Sequence, residues 1–447
     1  MRFFIKSFGC QMNTYDSQRV ADALVLRGFE QTDVPEDANI MIFNTCSIRE
    51  KADEKLFSDL GRAKMFKEDL LAKNQPAVVA VMGCVSQIQS ADIERRAPYV
   101  DVILGTQNIY EVVDAIHEIM QKQVEKFVST DFTPNLKFSN LPDQFFNRGL
   151  SEFITIQEGC NNFCTYCVVP FTSGREFSRD AADILKEARK LLSLGVKEIV
   201  LLGQNVDSYH GKGTDGKDWS LARLLYAMAE LEGLKRLRYL TSNPQDIDGD
   251  IAVAHREIEV LMPFLHIPAQ SGSDEILRRM NRRYTAEKYL KCLDMLKNQR
   301  EDFAFSSDFI VGFPGETDED FQKTMDLVEK VRYAQAYSFK YSPRPGTVAA
   351  KMPDQIPEEV KSERLQALQE VLAKHQSEFN EKFVGKHVSV LLTKEGRHEN
   401  QLVGRSEYAQ AVSIEGESVV NSGAKVGEIR KVQITQNAPH SLIGTIA

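Results

Sequence analysis

No stretch of this sequence is apolar for long enough to cross a membrane. The longest, Ala77–Val85, reads AVVAVMGCV, and a span needs ~20 such residues. The opening residues, Met1-Arg-Phe-Phe-Ile-Lys, hold neither a long apolar h-region nor a small-residue cleavage site, so a cytoplasmic chain with no membrane contact is expected. An excess of positive charge is also missing: 55 Lys and Arg stand against 64 Asp and Glu, a net charge of −9. Any RNA must therefore be held by a local patch. The eight histidines form no H-E-x-x-H pattern, which excludes that class of zinc hydrolase. Seven cysteines are an odd number for a disulfide framework, and 447 residues do not need one. That length suggests about three domains.

Six of the cysteines fall in two groups of three, which in a reducing compartment points to metal or redox chemistry. The first group ends three similar apolar runs, Arg2–Cys10, Ile40–Cys46 and Ala77–Cys84. Helical stretches at Ser17–Arg27 and Lys51–Asn74 separate them, and Val100–Leu104 could be a fourth run. Short apolar runs alternating with helices predict buried parallel strands. Parallel strands share one carboxyl edge, where open α/β sheets place ligands, so Cys10, Cys46 and Cys84 are expected to converge there. Three ordinary buried core cysteines are the alternative. Cys292, the seventh, shares helical spacing with Tyr289, Leu293 and Leu296 and is expected in the core.

Residues 120 to 150, with Pro134, Asn135 and Pro142, read as a linker with one short element. Strand and helix then alternate again. Strands are predicted at Phe153–Glu158, Glu198–Leu202, Leu237–Thr241, Phe264–Pro268, Phe305–Val311 and Ala336–Tyr341, with helices such as Ala181–Leu194 and Thr317–Val331 between them. Six βα repeats are too few for a complete eight-unit barrel and predict an open or partial one. After the break at Met352–Pro357 a charged helix is predicted from Glu358 to about Phe383, with Lys361, Arg364 and Lys374 on a solvated face or against RNA phosphate. The remaining residues predict strands at Val388–Leu392, Tyr408–Ile414 and Val432–Thr435 and a small β-barrel. From Glu381 onward there are eight Lys and Arg against seven Asp and Glu, so this tail lacks the acidity of the rest.

The second cysteine group is Cys160-Asn-Asn-Phe-Cys164-Thr-Tyr-Cys167, directly after a predicted strand. Three close thiolates leave one iron of a [4Fe–4S] cube without a protein ligand. A structural zinc site would want a fourth Cys or His at zinc spacing, and none follows. The triad, with aromatic Tyr166 before its last cysteine, resembles the signature of the radical S-adenosylmethionine (SAM) superfamily. That resemblance implies a cluster on Cys160, Cys164 and Cys167 whose open iron binds SAM. An electron then cleaves SAM to methionine and a 5′-deoxyadenosyl radical. It further implies SAM contacts near Tyr166, Gly203, Gln204, Ser242, Gln270 and Gly312.

The wider pattern is similar to the radical SAM methylthiotransferases. It is carried by Ser7-Phe-Gly-Cys-Gln-Met-Asn13, Asn44-Thr-Cys-Ser-Ile-Arg-Glu50, Val81–Cys84, His266–Ser273 and Tyr341–Thr347. Gly9-Cys-Gln-Met-Asn13 resembles the MiaB-type tRNA branch rather than the branch that modifies a ribosomal protein, which has Pro-Lys after the cysteine. Departures from the family pattern occur at Pro170–Arg175, Ser242-Asn-Pro244 and Gly404–Tyr408. The resemblance implies an α/β protein with a Rossmann-like open parallel-sheet domain at residues 1–118 and a linker at 119–150. A partial (βα)6 radical SAM barrel with a trailing helix would follow at 151–380, and a small antiparallel TRAM barrel for RNA at 381–447. Two [4Fe–4S] clusters are implied, the auxiliary one on Cys10, Cys46 and Cys84, with two SAM molecules per turnover as methyl donor and radical source. The implied activity is methylthiolation at C2 of N6-isopentenyladenosine at position 37, next to the anticodon. The implied partners are a tRNA anticodon stem–loop and a reducing electron-donor protein, for a monomeric enzyme.

Overall fold

The structure, a computed structural model, describes residues 1–47, 52–132, 136–439 and 441–446. The first unit is a six-stranded, all-parallel sheet of β1 (Arg2–Ser7), β2 (Glu30–Gln31), β3 (Ile40–Thr45), β4 (Val78–Gly83), β5 (Val102–Leu104) and β6 (Phe127–Ser129) in the order β2-β1-β3-β4-β5-β6. Every residue of β3 and β4 is buried, as expected of strands covered on both faces. Side chains alternate between those faces. Ile40, Ile42, Val78 and Ala80 pack under α1 (Gln11–Leu26) and α4 (Val112–Met120). Met41, Phe43, Val79 and Val81 pack under α2 (Ala52–Ala72) and α3 (Cys84–Arg96).

The stretch read as a linker holds more than one element. Its β6 pairs with β5 and closes the edge of the sheet, and α5 (Leu136–Asn140) follows with Lys137 buried. A three-residue strand of the type Phe-Val-Ser has too little periodicity to stand out; pairing with β5 makes it a strand. Pro134 and Asn135 lie outside the described residues.

The central unit has β7 (Ser151–Thr155), β10 (Glu198–Leu202), β11 (Arg236–Tyr239), β12 (Phe264–His266), β13 (Ala304–Val311) and β14 (Gln335–Lys340). They pair in parallel as β7-β10-β11 and β12-β13-β14. A bridge from Leu237 to Leu261 joins the two halves, which makes one open six-stranded arc with β7 and β14 at its ends. A short antiparallel pair, β8 (Gln157–Glu158) and β9 (Phe177–Ser178), flanks the second cysteine group, and α6 (Val169–Thr172) lies within the same loop. The outer layer contains α7 (Ala181–Ser193), α8 (Leu221–Ala229), α9 (Gly249–Glu257), α10 (Asp274–Arg279), α11 (Ala286–Gln299) and α12 (Asp318–Val331). Between strands and helices lies the largest apolar core, which includes Cys292.

The trailing helix α13 (Glu358–Glu381) packs along β14 and α12. The expectation of a solvated basic face fails for two of its three residues: Lys361 and Arg364 are each 7% exposed. Arg364 donates to the Glu316 carboxylate at 2.8 Å and to Asp318 at 2.7 Å, while Lys361 lays its stem over Gly312. Only Lys374 stays exposed.

The last unit closes as a barrel of β15 (His387–Glu395), β16 (Leu402–Ser406), β17 (Ala411–Ile414), β18 (Ile429–Ala438) and β19 (Ser441–Ile446), with α14 (Glu417–Ser422) between β17 and β18. It differs from a purely antiparallel barrel at one seam, where β17 and β19 pair in parallel. Its register against the central arc is set by two arginines of β11. Arg236 donates to the carbonyls of Arg405 at 2.7 Å and Ser389 at 2.8 Å. Arg238 donates to those of Glu407 at 2.8 Å and Ser406 at 2.9 Å.

Candidate functional site

The first three cysteines end adjacent strands. Cys10 caps α1 after β1, Cys46 follows β3, and Cys84 opens α3 after β4. An asparagine–threonine clamp ties these ends together. The Asn13 amide donates to Asn44 Oδ1 at 2.9 Å and to the Thr45 carbonyl at 2.7 Å, and the Cys10 thiol donates to Asn13 Oδ1 at 3.1 Å. Thr45 Oγ1 donates to the Met82 carbonyl at 2.7 Å and accepts from the Val85 N–H at 3.1 Å. Two glycines make the approach possible. Gly9 has φ +102°, and a Cβ there would fall 2.2 Å from Cys46 Cβ. A Cβ on Gly83, at φ +97°, would fall 2.5 Å from Asn44 Oδ1. Hydrogen bonding to the Cys46 thiol, then burial, push the Cys10 pKa far up. Burial and the nearby Cys10 push Cys84 up to about 12. Crowded, largely desolvated thiols of this kind ionise together only when a cation compensates them. Ile48, Arg49 and Glu50 of the quoted motif lie outside the described residues.

The second group occupies the loop between β8 and β9. Its backbone is held from α10 and the residues after it. Thr165 Oγ1 donates to the Arg279 carbonyl at 2.9 Å, and the Asn281 amide donates to the carbonyls of Asn162 at 3.1 Å and Phe163 at 3.0 Å. Donors also point at all three sulfurs: Asn162 Nδ2 to Cys160 at 3.4 Å, Arg282 Nη1 to Cys164 at 3.5 Å, and the Val169 N–H to Cys167 at 3.5 Å. Burial, then the Cys164 charge, push Cys167 up to about 12. Burial opposes the charge on Arg282, yet Tyr284, Tyr166 and Cys164 around it hold its pKa well above the ordinary value. Tyr166 packs edge-on against Phe313 at 6.4 Å between centroids.

Among the described residues no three His, Cys, Asp or Glu side chains are gathered tightly enough for a single metal ion. One zinc ion with ~2.3 Å bonds would draw its sulfurs close together. A [4Fe–4S] cube takes each thiolate on a different iron and spreads them. Three N–H-supported thiols, with no fourth Cys or His following them at zinc spacing in the sequence, suit a cube better than a structural zinc.

Helix α6 brings the two groups together. It packs against α3, which Cys84 opens, and its Thr172, five positions beyond Cys167, lies close enough to Cys84 to lower the pKa of that thiol. Thr106 Oγ1 donates to the Thr172 carbonyl at 2.5 Å, and Gln107 Nε2 to the Ser173 carbonyl at 3.1 Å. Beside it, buried Lys137 of α5 bonds Asp16 of α1 at 2.7 Å and Glu158 of β8 at 2.5 Å.

The other residues singled out from sequence are spread along the strand ends. Gln204 donates to Ser173 Oγ at 3.3 Å and keeps a buried Oε1 with no partner. A Cβ on Gly203 would meet Gln157 Oε1 at 2.6 Å. Ser242 donates to Asp207 Oδ1 at 3.3 Å. Gln270, at φ +68°, bridges to β13. At Gly312, also φ +68°, the missing Cβ leaves room for the Lys361 stem. Arg282, Thr172 and Lys137 were not found from sequence: a lone Arg, Thr or Lys carries no pattern until distant segments meet. Asn13 lay inside a quoted motif, although its clamp required β1 and β3 to be neighbours.

Comparison with known proteins gives a consistent picture. The radical SAM superfamily model matches residues 154–328, the uncharacterized protein family UPF0004 matches residues 2–105, and the TRAM domain matches residues 381–447. A tRNA-2-methylthio-N(6)-dimethylallyladenosine synthase from Bartonella henselae is 48% identical over 447 residues, 99% of this chain and 96% of that protein. A protein of the same name from Agrobacterium fabrum is 48% identical over 450 residues, 100% of this chain and 97% of that one. Among solved structures, the radical SAM methyltransferase TsrM from Kitasatospora setae aligns with TM-score 0.57 at 13% identity, covering 78% of this chain and 75% of its own. The cobalamin-dependent radical SAM enzyme OxsB aligns with TM-score 0.54 at 12% identity, covering 84% and 56%. At such identities these two show a shared fold.

Proposed function

The chain belongs to the tRNA-2-methylthio-N(6)-dimethylallyladenosine synthase family, and from that premise we propose that it methylthiolates C2 of N6-isopentenyladenosine at tRNA position 37. The observation that carries the reading is that α6, which follows the Cys160–Cys167 loop, packs on α3, which Cys84 opens, so that both triads can face one site. When bound, the SAM-cleaving cluster and SAM supply a radical able to remove the C2 hydrogen, and an auxiliary cluster supplies the methylated sulfur.

The chain's own residues position these groups. Cys160, Cys164 and Cys167 hold the first cluster, and Asn162, Arg282 and the Val169 N–H stabilise its thiolates. Cys10, Cys46 and Cys84 hold the second, oriented by Asn13 and Thr45. Tyr166, Gly203, Gln204, Ser242, Gln270 and Gly312 ring the strand ends where SAM would lie. The orphaned Gln204 Oε1 is an acceptor free to receive the SAM amino group. The anticodon loop offers an unpaired base, whose extrusion is the least costly kind. The proposed setting is the cytoplasm, where the chain would act as a monomer on tRNA with an electron-donor protein; no described helix is long and apolar enough to cross a membrane.

Mass spectrometry of tRNA nucleosides from cells lacking the gene tests the reading. The 2-methylthio nucleoside should vanish and N6-isopentenyladenosine accumulate. An unchanged nucleoside profile would overturn it.

A further inference from the structure

The inside of the open arc is covered on one half only. From β7, β10 and β11 the inward side chains Phe153, Val200 and Leu202, with Leu240, are capped by Met12 and Tyr15 of α1. Among the described residues, no such apolar cap lies over the other half, β12 to β14. Alternate strand residues face opposite sides. On β13, Phe305, Phe309 and Val311 join the helix-covered core, so Ser306, Asp308 and Ile310 face inward. Register pairs Asp308 with Tyr337 and Ile310 with Phe339, while Lys340 reaches outward to Glu358 of α13. Tyr337 and Phe339 are therefore inward-facing, and yet they are 48% and 51% exposed.

This bare wall has a direction and a polar edge. Ile310 packs into the cluster that contains Tyr166 of the second cysteine loop. At the opposite end Tyr337 feels the charge of Arg405 from the C-terminal barrel. His266 stands beside Tyr337 with ring centroids 6.4 Å apart, and its Nε2 lies 3.4 Å from the Asp308 carboxylate. Side chains two residues apart on a strand stand ~6.6 Å from each other, about two stacking steps of ~3.4 Å. One flat base fits between two such rings.

We propose that Tyr337 and Phe339 form the stacking platform for the target purine, with the His266–Asp308 pair at its polar edge and Ile310 and Phe339 against its N6 alkyl group. This rests on the functional reading above and names the residues that hold the base. An aromatic pair left open on one concave wall suits an unstacked RNA base, because every base has a face to stack and stacking on aromatics contributes appreciably to affinity. The polar pair beside it gives that base an edge to hydrogen-bond.

The test uses a synthetic anticodon stem–loop carrying N6-isopentenyladenosine, with a plain-adenosine stem–loop as comparison. Binding is read by fluorescence anisotropy, and turnover by KM and kcat. Tyr337→Leu and Phe339→Leu keep apolar volume but remove the ring. Each should raise Kd and KM for the modified stem–loop by about fivefold or more, with a smaller change in kcat. Phe339→Tyr should restore both constants, and Phe339→Leu should narrow the preference for the modified over the plain loop. Ser338→Ala, on the outward side of the same strand, controls for local disruption and should leave both constants unchanged. If both leucine variants bind and turn over the modified loop as the parent does, the platform is wrong. If the parent methylthiolates neither loop, the functional reading falls, and the platform with it.

Discussion

Lys137→Met removes one cation from the interface between the two cysteine groups. The Lys137 ammonium is 1% exposed, and its partners Asp16 and Glu158 are 8% and 5% exposed. Two carboxylates at 2.7 and 2.5 Å hold the lysine charged against the cost of burial. Even with that cation present, burial raises Asp16 to about 6, the Glu158 charge adding to the shift. Without it, two buried carboxylates face each other, and breaking a buried pair in this way costs about 3–5 kcal/mol. At ~1.4 kcal/mol per decade, hydrogen-exchange protection of α5 and β8 amides should fall by about 100- to 4,000-fold at pH 8. The sign with pH follows from Asp16. An acid whose folded pKa lies above its unfolded one destabilises the fold at high pH, and the penalty is relieved as pH falls through the folded value. In the variant that value lies above 6, so the lost protection should shrink steadily between pH 8 and pH 5. Adding Asp16→Asn and Glu158→Gln removes the bare charges and should recover most of the protection, since a neutral replacement for a buried ion network is often near-neutral in stability. A loss below about tenfold at pH 8, or one that does not change with pH, would refute this account.

Replacing Cys160, Cys164 and Cys167 with Ala should leave about four of about eight irons after anaerobic reconstitution and abolish SAM cleavage, while Ala at Cys10, Cys46 and Cys84 should also leave about four. Loss of all iron in either variant would mean one shared site. Burial pushes buried Asp207 up to about 8 although the Asn243 N–H and Ser242 hydroxyl donate to it. The folded state therefore keeps a proton that the unfolded chain has lost, and the iron-free protein should lose about 1.4 kcal/mol of stability per pH unit from this group between roughly pH 4 and 8. Asp207→Asn should flatten that decline in denaturant titrations; an unchanged slope would contradict it. On the C-terminal barrel, Lys394, Arg397 and Lys431 are exposed. Joint replacement by Ala should weaken tRNA binding and lower the slope of log K against log salt by about 0.7–0.9 for each phosphate no longer neutralised. A binding isotherm with the parent's salt slope would show that the RNA lies elsewhere.

Much of this architecture was legible because buried parallel strands read as continuous apolar runs. Ile40–Thr45, Val78–Gly83 and Glu198–Leu202 stand out for that reason, whereas β11 and β14 alternate polar and apolar residues. What escaped were elements whose state depends on a remote neighbour. The short β6 is a strand only against β5, and the parallel β17–β19 seam exists because β18 carries the chain across the barrel. Lys361 and Arg364 sit on a charged helix that looks solvated in one dimension, and they are buried because Gly312 and Glu316 come to meet them.

The candidate site divides along the same line. Spacing along the chain set which cysteines group together, since Cys160, Cys164 and Cys167 are close in sequence and the other three end similar βα units. The placement of Thr172 against Cys84, of Lys137 between Asp16 and Glu158, and of α1 over half of the arc belongs to tertiary structure alone. Local periodicity records which side of an element is apolar. It does not record which remote surface will cover that side, and the half that α1 leaves bare is decided only when the two domains pack.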